Sequence, residues 1–215
     1  MGGTFDPVHR GHLELGLAAR SEMDRHAGIA AGAGWLVFMP AARNPLKSSG
    51  PVLSDARRVE LLRLACEGLE RVGVSTLEIE DADEAAPVSF TVDTLRKLVT
   101  MCPGTRFRLV MGADSARGFH RWRGPREILS LAEPLVVLRR PDESAESLVA
   151  ALKESGAWTE DEVARWRGWV ASTGLVDVSA TRVRQLVSAG DWGSAELAAA
   201  LPAAVLVRLR EWGGR

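Results

Sequence analysis

Several stretches of this chain carry residue types suited to holding phosphate, and the first is Gly2-Gly3-Thr4-Phe5-Asp6-Pro7-Val8-His9-Arg10-Gly11-His12. Two glycines let a backbone turn approach a ligand with no Cβ in the way. Asp6-Pro7 signals a turn that sets up the next segment. His9 and His12 flank Gly11 where a helix is expected to begin. A helix start offers unpaired N–H groups and about half a positive charge, so it favours phosphate. Imidazoles, which ionise near pH ~6.5, hold a proton more readily beside a polyphosphate and then donate charge-assisted hydrogen bonds. Two plainer readings stay open. The His-x-x-His pair suits a metal, although no carboxylate or cysteine stands at a ligand-like spacing, and both histidines suit ordinary helix caps. Neither explains the Gly-Gly-Thr ahead of them.

A second stretch, Val178-Ser179-Ala180-Thr181-Arg182-Val183-Arg184, follows a strand-like run and opens a helix. Ser179 and Thr181 bring hydroxyls and Arg184 a fixed fork of donors, a chemistry that matches phosphate oxygens. A capped surface helix with solvated arginines is the alternative. Met111-Gly112-Ala113-Asp114-Ser115 also follows a strand, where α/β sheets bind ligands, and an aspartate there can accept from ribose hydroxyls or simply cap a helix. Trp122, in Phe119-His120-Arg121-Trp122, offers an indole face to an electron-poor ring, unless it packs in the core. Ser89-Phe90-Thr91 opens a helix whose N–H groups and Thr91 hydroxyl could hold a carboxylate, or serve as a cap alone.

The Gly2–Leu13 segment resembles the T/H-x-G-H signature of the nucleotidyltransferase superfamily, and within it the nicotinate-nucleotide adenylyltransferases. Residues 178–184 resemble that family's I-S-x-T-x-x-R motif, residues 112–115 its G-x-D-S motif and residues 89–91 its S-Y/F-T segment. The resemblance implies transfer of the adenylyl group of ATP to nicotinate mononucleotide, with Mg²⁺ arriving on ATP and no metal ligand from the protein. It implies ATP contacts from Gly3, Thr4, Phe5, His9, His12, Asp114, Arg140, Ser179, Thr181 and Arg184. Mononucleotide contacts fall to Lys47, Phe90, Thr91, Gly112 and Trp122, and transition-state charge to His12, His9, Arg184 and Lys47. Two departures stand out. Asn44-Pro45-Leu46 replaces the Pro-Pro-His that many members carry ahead of the basic residue, here Lys47. Family members also have a short buried strand before Gly-Gly-Thr, where this sequence has only Met1. A central strand's loss would leave backbone groups unpaired at about 1–3 kcal/mol each, so the expectation is a natural start several residues upstream, or a compromised copy.

These residues need a frame that brings them together. Gly34–Pro40, Val72–Ile79, Arg106–Met111 and Pro134–Leu138 read as strands, several without in/out alternation, as strands covered on both faces do. His12–Met23, Ala56–Leu69 (led by Ser54 and Asp55) and Ser89–Met101 read as helices. The alternation predicts an α/β fold with a doubly wound, mostly parallel, Rossmann-like sheet. Beyond it, Pro141–Gly174 predicts two helices, one opened by a Thr159–Glu162 capping box, with Trp158, Trp166 and Trp169 as packing residues. Leu175–Val178 reads as a last strand, Arg182–Val187 as a helix, and Ala195–Trp212 as one or two more broken at Pro202. The whole is expected as one domain over 1–215, a core at 1–141 and a C-terminal part at 142–215 that carries the second phosphate motif.

Composition narrows the partners. Hydrophobic residues make up 46% of the chain, enough for a sizeable core and against disorder. Lys+Arg 27 against Asp+Glu 28 gives a net charge of −1, which argues against polymeric nucleic acid and not against a small anionic substrate. No apolar run spans a bilayer and the first residues do not read as a charged-then-apolar leader, so a cytoplasmic protein with reduced, buried Cys66 and Cys102 is expected. A homo-oligomer is left open. The rival readings are a nicotinamide-mononucleotide adenylyltransferase and a nucleotide-binding protein without activity. Phosphopantetheine or polyol-phosphate transferases would leave residues 89–91 and 119–122 unexplained, and a tRNA synthetase does not suit the length or the charge.

Overall fold

Apolar runs lacking alternation become buried parallel strands, and the segments between them become helices. The computed structural model describes residues 1–42, 50–81, 89–138, 140, 142–171 and 180–213. In chain order the elements are β1 (Gly2–Gly3), α1 (Arg10–Ala27), β2 (Leu36–Pro40), α2 (Asp55–Cys66), β3 (Val72–Val74), α3 (Leu77–Glu80) and α4 (Thr91–Met101). There follow β4 (Phe107–Gly112), α5 (Ala113–Arg117), a 3₁₀ turn (Phe119–Arg121), α6 (Pro125–Leu131) and β5 (Ala132–Val137). The chain closes with α7 (Ala145–Glu154), α8 (Glu160–Gly168), α9 (Ala180–Ser188), α10 (Ala195–Ala200) and α11 (Ala203–Gly213).

Every strand pairing among the described residues is parallel. β2 lies between β1 and β3, with Gly2 opposite Met39 and Leu36 opposite Val72. β4 pairs with β5 from Phe107–Ala132 to Gly112–Val137, and a single bridge joins Val136 to Val170. Parallel strands joined through helices give the Rossmann-like class, with a helical C-terminal part. Gly2 and Gly3 themselves supply the short strand beside β2, so the position expected to be empty holds a two-residue element.

Two large apolar cores, beside a smaller cluster around Leu15, Val110, Leu135 and Val137, support this frame. One gathers Phe5, Phe38, Leu61 and Leu62 with Val183, Leu197, Leu201 and Val205 from the C-terminal helices. The other gathers Phe119, Ile128 and Val136 with Leu148, Leu152 and Trp166. Both draw on residues from either side of position 141, at roughly 1.5–3 kcal/mol for each large side chain removed from water. Trp158 and Trp166 are buried and packed edge to face at 5.6 Å, as packing residues should be.

Three expectations need correction or fall outside view. The strand expected over Val72–Ile79 stops at Val74. The Ser75 amide makes one more hydrogen bond to the Phe38 carbonyl, then Ser75 Oγ accepts from the Leu77 amide and the chain turns into α3. Short hydroxyl side chains compete with the ladder in this way. Cys66 is buried and burial pushes its thiol up to about 11, whereas Cys102 is exposed, because it lies one residue past the end of α4 where the chain turns toward Pro103-Gly104. The strand expected at Leu175–Val178 lies outside the described residues. The Thr159–Glu162 capping box forms in both directions, at 2.8 and 3.2 Å. No helix among the described residues is long and apolar enough to cross a membrane.

Candidate nucleotide site

The first loop is built to hold its shape from several sides. Gly3 sits under the Phe5 ring, where a Cβ would come within 2.8 Å of the ring carbon, so only glycine fits. Phe5 itself takes a left-handed backbone (φ 49) and its side chain is 1% exposed, packed on Phe38 at 5.7 Å. Its ring is therefore core, and only its backbone is left for a ligand. Thr4 O accepts from Arg58 Nη1 at 2.7 Å, and the same fully buried guanidinium reaches Ala42 O and Asp55 Oδ1. The buried Asp6 carboxylate accepts from the Val52 and Leu53 amides at 2.8 and 2.9 Å. A buried charge is tolerable only with such partners.

His9 caps α1 with an extended backbone, and its amide donates to His12 Nδ1 at 3.2 Å. The two imidazoles stack at 3.7 Å, and the Phe5 ring meets His12 edge-on at 5.0 Å. The pair is thus held as one unit at the start of an 18-residue helix, at the end where the backbone dipole favours anions.

The second phosphate motif arrives at this same loop. Arg184, on α9, donates through Nη1 to Asp6 O at 2.9 Å and through Nη2 to Thr181 Oγ1 at 3.1 Å. Arg182 instead forms a two-point pair with Glu196, so it belongs to the scaffold. Ser179 and Lys47 lie outside the described residues.

A cleft of about 1070 Å³ opens beside the loop. Gly3, Thr4, His9 and His12 are among the residues that line it, and so are Phe90, Thr91, Gly112 and Trp122. Phe90 caps α4 with its backbone and no side chain caps that helix start. Trp122 is half-buried, its ring resting on Phe119 at 4.9 Å. Asp114, at the start of α5, pairs with Arg140 at 3.0 Å and Arg117 at 3.3 Å. The Asp114–Arg140 pair is more than half exposed on both sides, so it is worth about 0–1 kcal/mol and yields readily to another donor. Thus Asp114 and Arg140 are brought together, and Thr181 with Arg184 is brought to the first loop, while these four stand outside the cleft lining.

Sequence reasoning missed three residues here. Arg58 supports Thr4 from 54 positions away. Glu78, 8% exposed, takes hydrogen bonds from Ser89 Oγ at 3.0 Å and Thr94 Oγ1 at 3.1 Å, and burial holds its carboxyl above the usual range against the lowering pull of those bonds. Arg123 covers the Phe90 ring at 4.8 Å. None belongs to a contiguous motif. For Arg58 a charge within a helical pattern was the available signal, whereas Glu78 fell in a run read as a strand and Arg123 is exposed just past Trp122.

Comparison with known proteins places the chain in a family. The cytidylyltransferase-like family model matches residues 1–186, and the chain belongs to that family. Among curated relatives, a probable nicotinate-nucleotide adenylyltransferase of Rhodopirellula baltica is 30% identical, over 88% of this chain and 81% of its own. Another from Pseudomonas putida is 34% identical, over 88% and 83%. Among solved structures, the Plasmodium falciparum nicotinic acid mononucleotide adenylyltransferase complexed with NaAD superposes with TM-score 0.64 over 98% of this chain and 93% of that one, at 11% identity. That likeness shows the fold.

Proposed function

We propose that this chain transfers the adenylyl group of ATP to nicotinate mononucleotide, releasing pyrophosphate and forming nicotinate adenine dinucleotide, a cytoplasmic step of NAD biosynthesis. The observation that carries the reading is the Arg184–Asp6 hydrogen bond. It joins two phosphate-type motifs 178 residues apart, the first of which supplies Gly3, Thr4, His9 and His12 to the cleft lining. The names of the relatives point to the same reaction.

A phosphate oxygen of the mononucleotide attacks the α-phosphorus of ATP. A new P–O bond forms as the bond to the bridging oxygen breaks, and pyrophosphate leaves with that electron pair. The attacking oxygen is already anionic, so the protein needs no nucleophile. Its task is orientation and charge neutralisation. His12, His9 and Arg184 are the groups we assign to the developing charge, with Lys47 joining them by its place in the motif. Asp114 would exchange its arginine partners for ribose hydroxyls. Trp122 gives the pyridinium ring a face to stack on, and the uncapped start of α4 suits its carboxylate.

Among the described residues no group of three His, Cys, Asp or Glu side chains could hold a metal. Mg²⁺ enters this reading as part of the substrate MgATP, held by phosphates and water. Release of pyrophosphate from MgATP, measured with nicotinate and with nicotinamide mononucleotide in turn, tests the proposal. Preference for the acid is the expected result. Preference for the amide would transfer the assignment to the nicotinamide enzyme, and ATP binding without turnover would leave only a binding protein.

A further inference from the structure

Glu78 has no role in the reaction as described, yet it lines the cleft together with Phe90, Thr91 and Trp122. It stands on α3, a helix of four residues, and its side chain crosses to the turn that begins α4. One carboxyl oxygen takes the Ser89 hydroxyl and the other takes the Thr94 hydroxyl. These two donors bracket Phe90-Thr91, the segment at which the mononucleotide ring is expected to bind. Thr94 Oγ1 also lies 3.3 Å from Phe90 O, so the same hydroxyl ties the carboxyl to the backbone of that turn.

Stability alone does not account for an acid here. Two neutral hydroxyls and the attraction of the Met1 ammonium offset only part of the cost of removing a carboxylate from water, and an aliphatic side chain of similar size would bury more cheaply. Nor does Glu78 act as a helix cap, although an acid near an uncapped helix start is well suited to that. It binds the hydroxyls and leaves the first-turn N–H groups of α4 without a side-chain partner.

We propose that Glu78 is a positioning residue for the nicotinate mononucleotide half of the site: by gripping Ser89 and Thr94 it fixes the Ser89-Phe90-Thr91 turn where that turn lines the cleft. The inference rests on the function proposed above and names the part of that site it governs. The ATP half has its own supports in Arg58, Asp6 and Arg184, so Glu78 should act on one substrate only.

The test is steady-state kinetics of Glu78→Gln and Glu78→Leu with each substrate varied in turn, beside thermal melting. Gln keeps the shape but presents an NH₂ to one hydroxyl in place of an acceptor. It should raise the KM for nicotinate mononucleotide about five- to tenfold, leave the KM for MgATP within about twofold, and keep kcat within about threefold. Leu, which accepts from neither hydroxyl, should raise the mononucleotide KM further. If Leu does not fold, the Gln variant carries the test alone. The proposal is overturned if the Gln variant melts like wild type and both KM values stay put, or if both rise in parallel. A wild-type protein inert toward both mononucleotides would remove the functional reading itself. An active wild type with an unselective Gln variant removes only this inference.

Discussion

The two sides of the cleft are held by different means. The proposed phosphate rim, residues 3–12 with Arg184, is fixed by charged groups acting on backbone: Arg58 on Thr4 O, Asp6 on two amides, and Arg184 on Asp6 O. The ring side, residues 89–94 with Trp122, is fixed by hydroxyls on one buried carboxyl and by aromatic packing on Phe119. Charge on backbone sets distances rigidly, which suits a site that must meet a pentacoordinate phosphorus. Hydroxyls and ring faces tolerate small shifts, which suits recognition of a flat ring. The rim should therefore govern rate and the ring side affinity.

The largest effect that would sharpen this contrast is at His12. Loss of one preorganised donor at developing charge costs about 3 kcal/mol, roughly a hundredfold in kcat. His12→Ala should show that loss in pyrophosphate release with melting little changed. Turnover within about threefold of wild type would break the assignment of rate to the rim.

Arg58 comes next. Arg58→Met removes the cation that satisfies Thr4 O and Ala42 O in a fully buried setting. Hydrogen bonds to charged groups contribute about 1.5–3 kcal/mol, so Tm should fall by roughly 3–12 °C for a chain of this size. The KM for MgATP should rise more than that for the mononucleotide. An equal rise in both would mean that Arg58 supports the whole molecule and not the rim.

Trp122 tests the ring side. Trp122→Ala should raise the mononucleotide KM about tenfold, or about 1.4 kcal/mol, through loss of the indole face, and Trp122→Phe should recover part of it. An effect confined to kcat would reverse the proposed division of labour between the two sides.

How much of this was legible in the sequence follows the same division. Gly3, Thr4, His9 and His12 sit within ten residues of one another, so a loop entering a helix had to bring them to one place. The parallel α/β fold was legible because buried strands and amphipathic helices have distinct periods. The supports were not. Asp6 finds its amides at Val52 and Leu53, Arg58 finds Thr4, and Glu78 finds Ser89 and Thr94, pairings that only the folded chain defines. The strand misread over Val72–Ile79 failed at the same place: Ser75 takes the Leu77 amide locally, and the turn it makes is what carries Glu78 inward.

The smallest effect concerns pH, and its sign separates two carboxyls. Burial raises Glu78 above its ordinary 4.5, so the folded protein binds this proton more tightly than the unfolded chain does. Its contribution to stability is complete below about pH 4.5 and is lost as pH rises through the folded value. Glu162 runs the other way. Arg126 and the Thr159 amide hold it down to about 2, so its contribution is present above about 4.5 and lost as pH falls toward 2. Replacing each by Gln removes the titration. The Tm of Glu78→Gln relative to wild type should therefore climb as pH rises from 4.5 toward neutrality, whatever constant offset the altered hydrogen bond brings. The Tm deficit of Glu162→Gln should shrink between pH 4.5 and 2. A flat difference for Glu78→Gln across the upper window would mean that its carboxyl titrates alike in both states. The ring side would then hold an ordinary solvated acid, and its contrast with the rim would lose its physical basis.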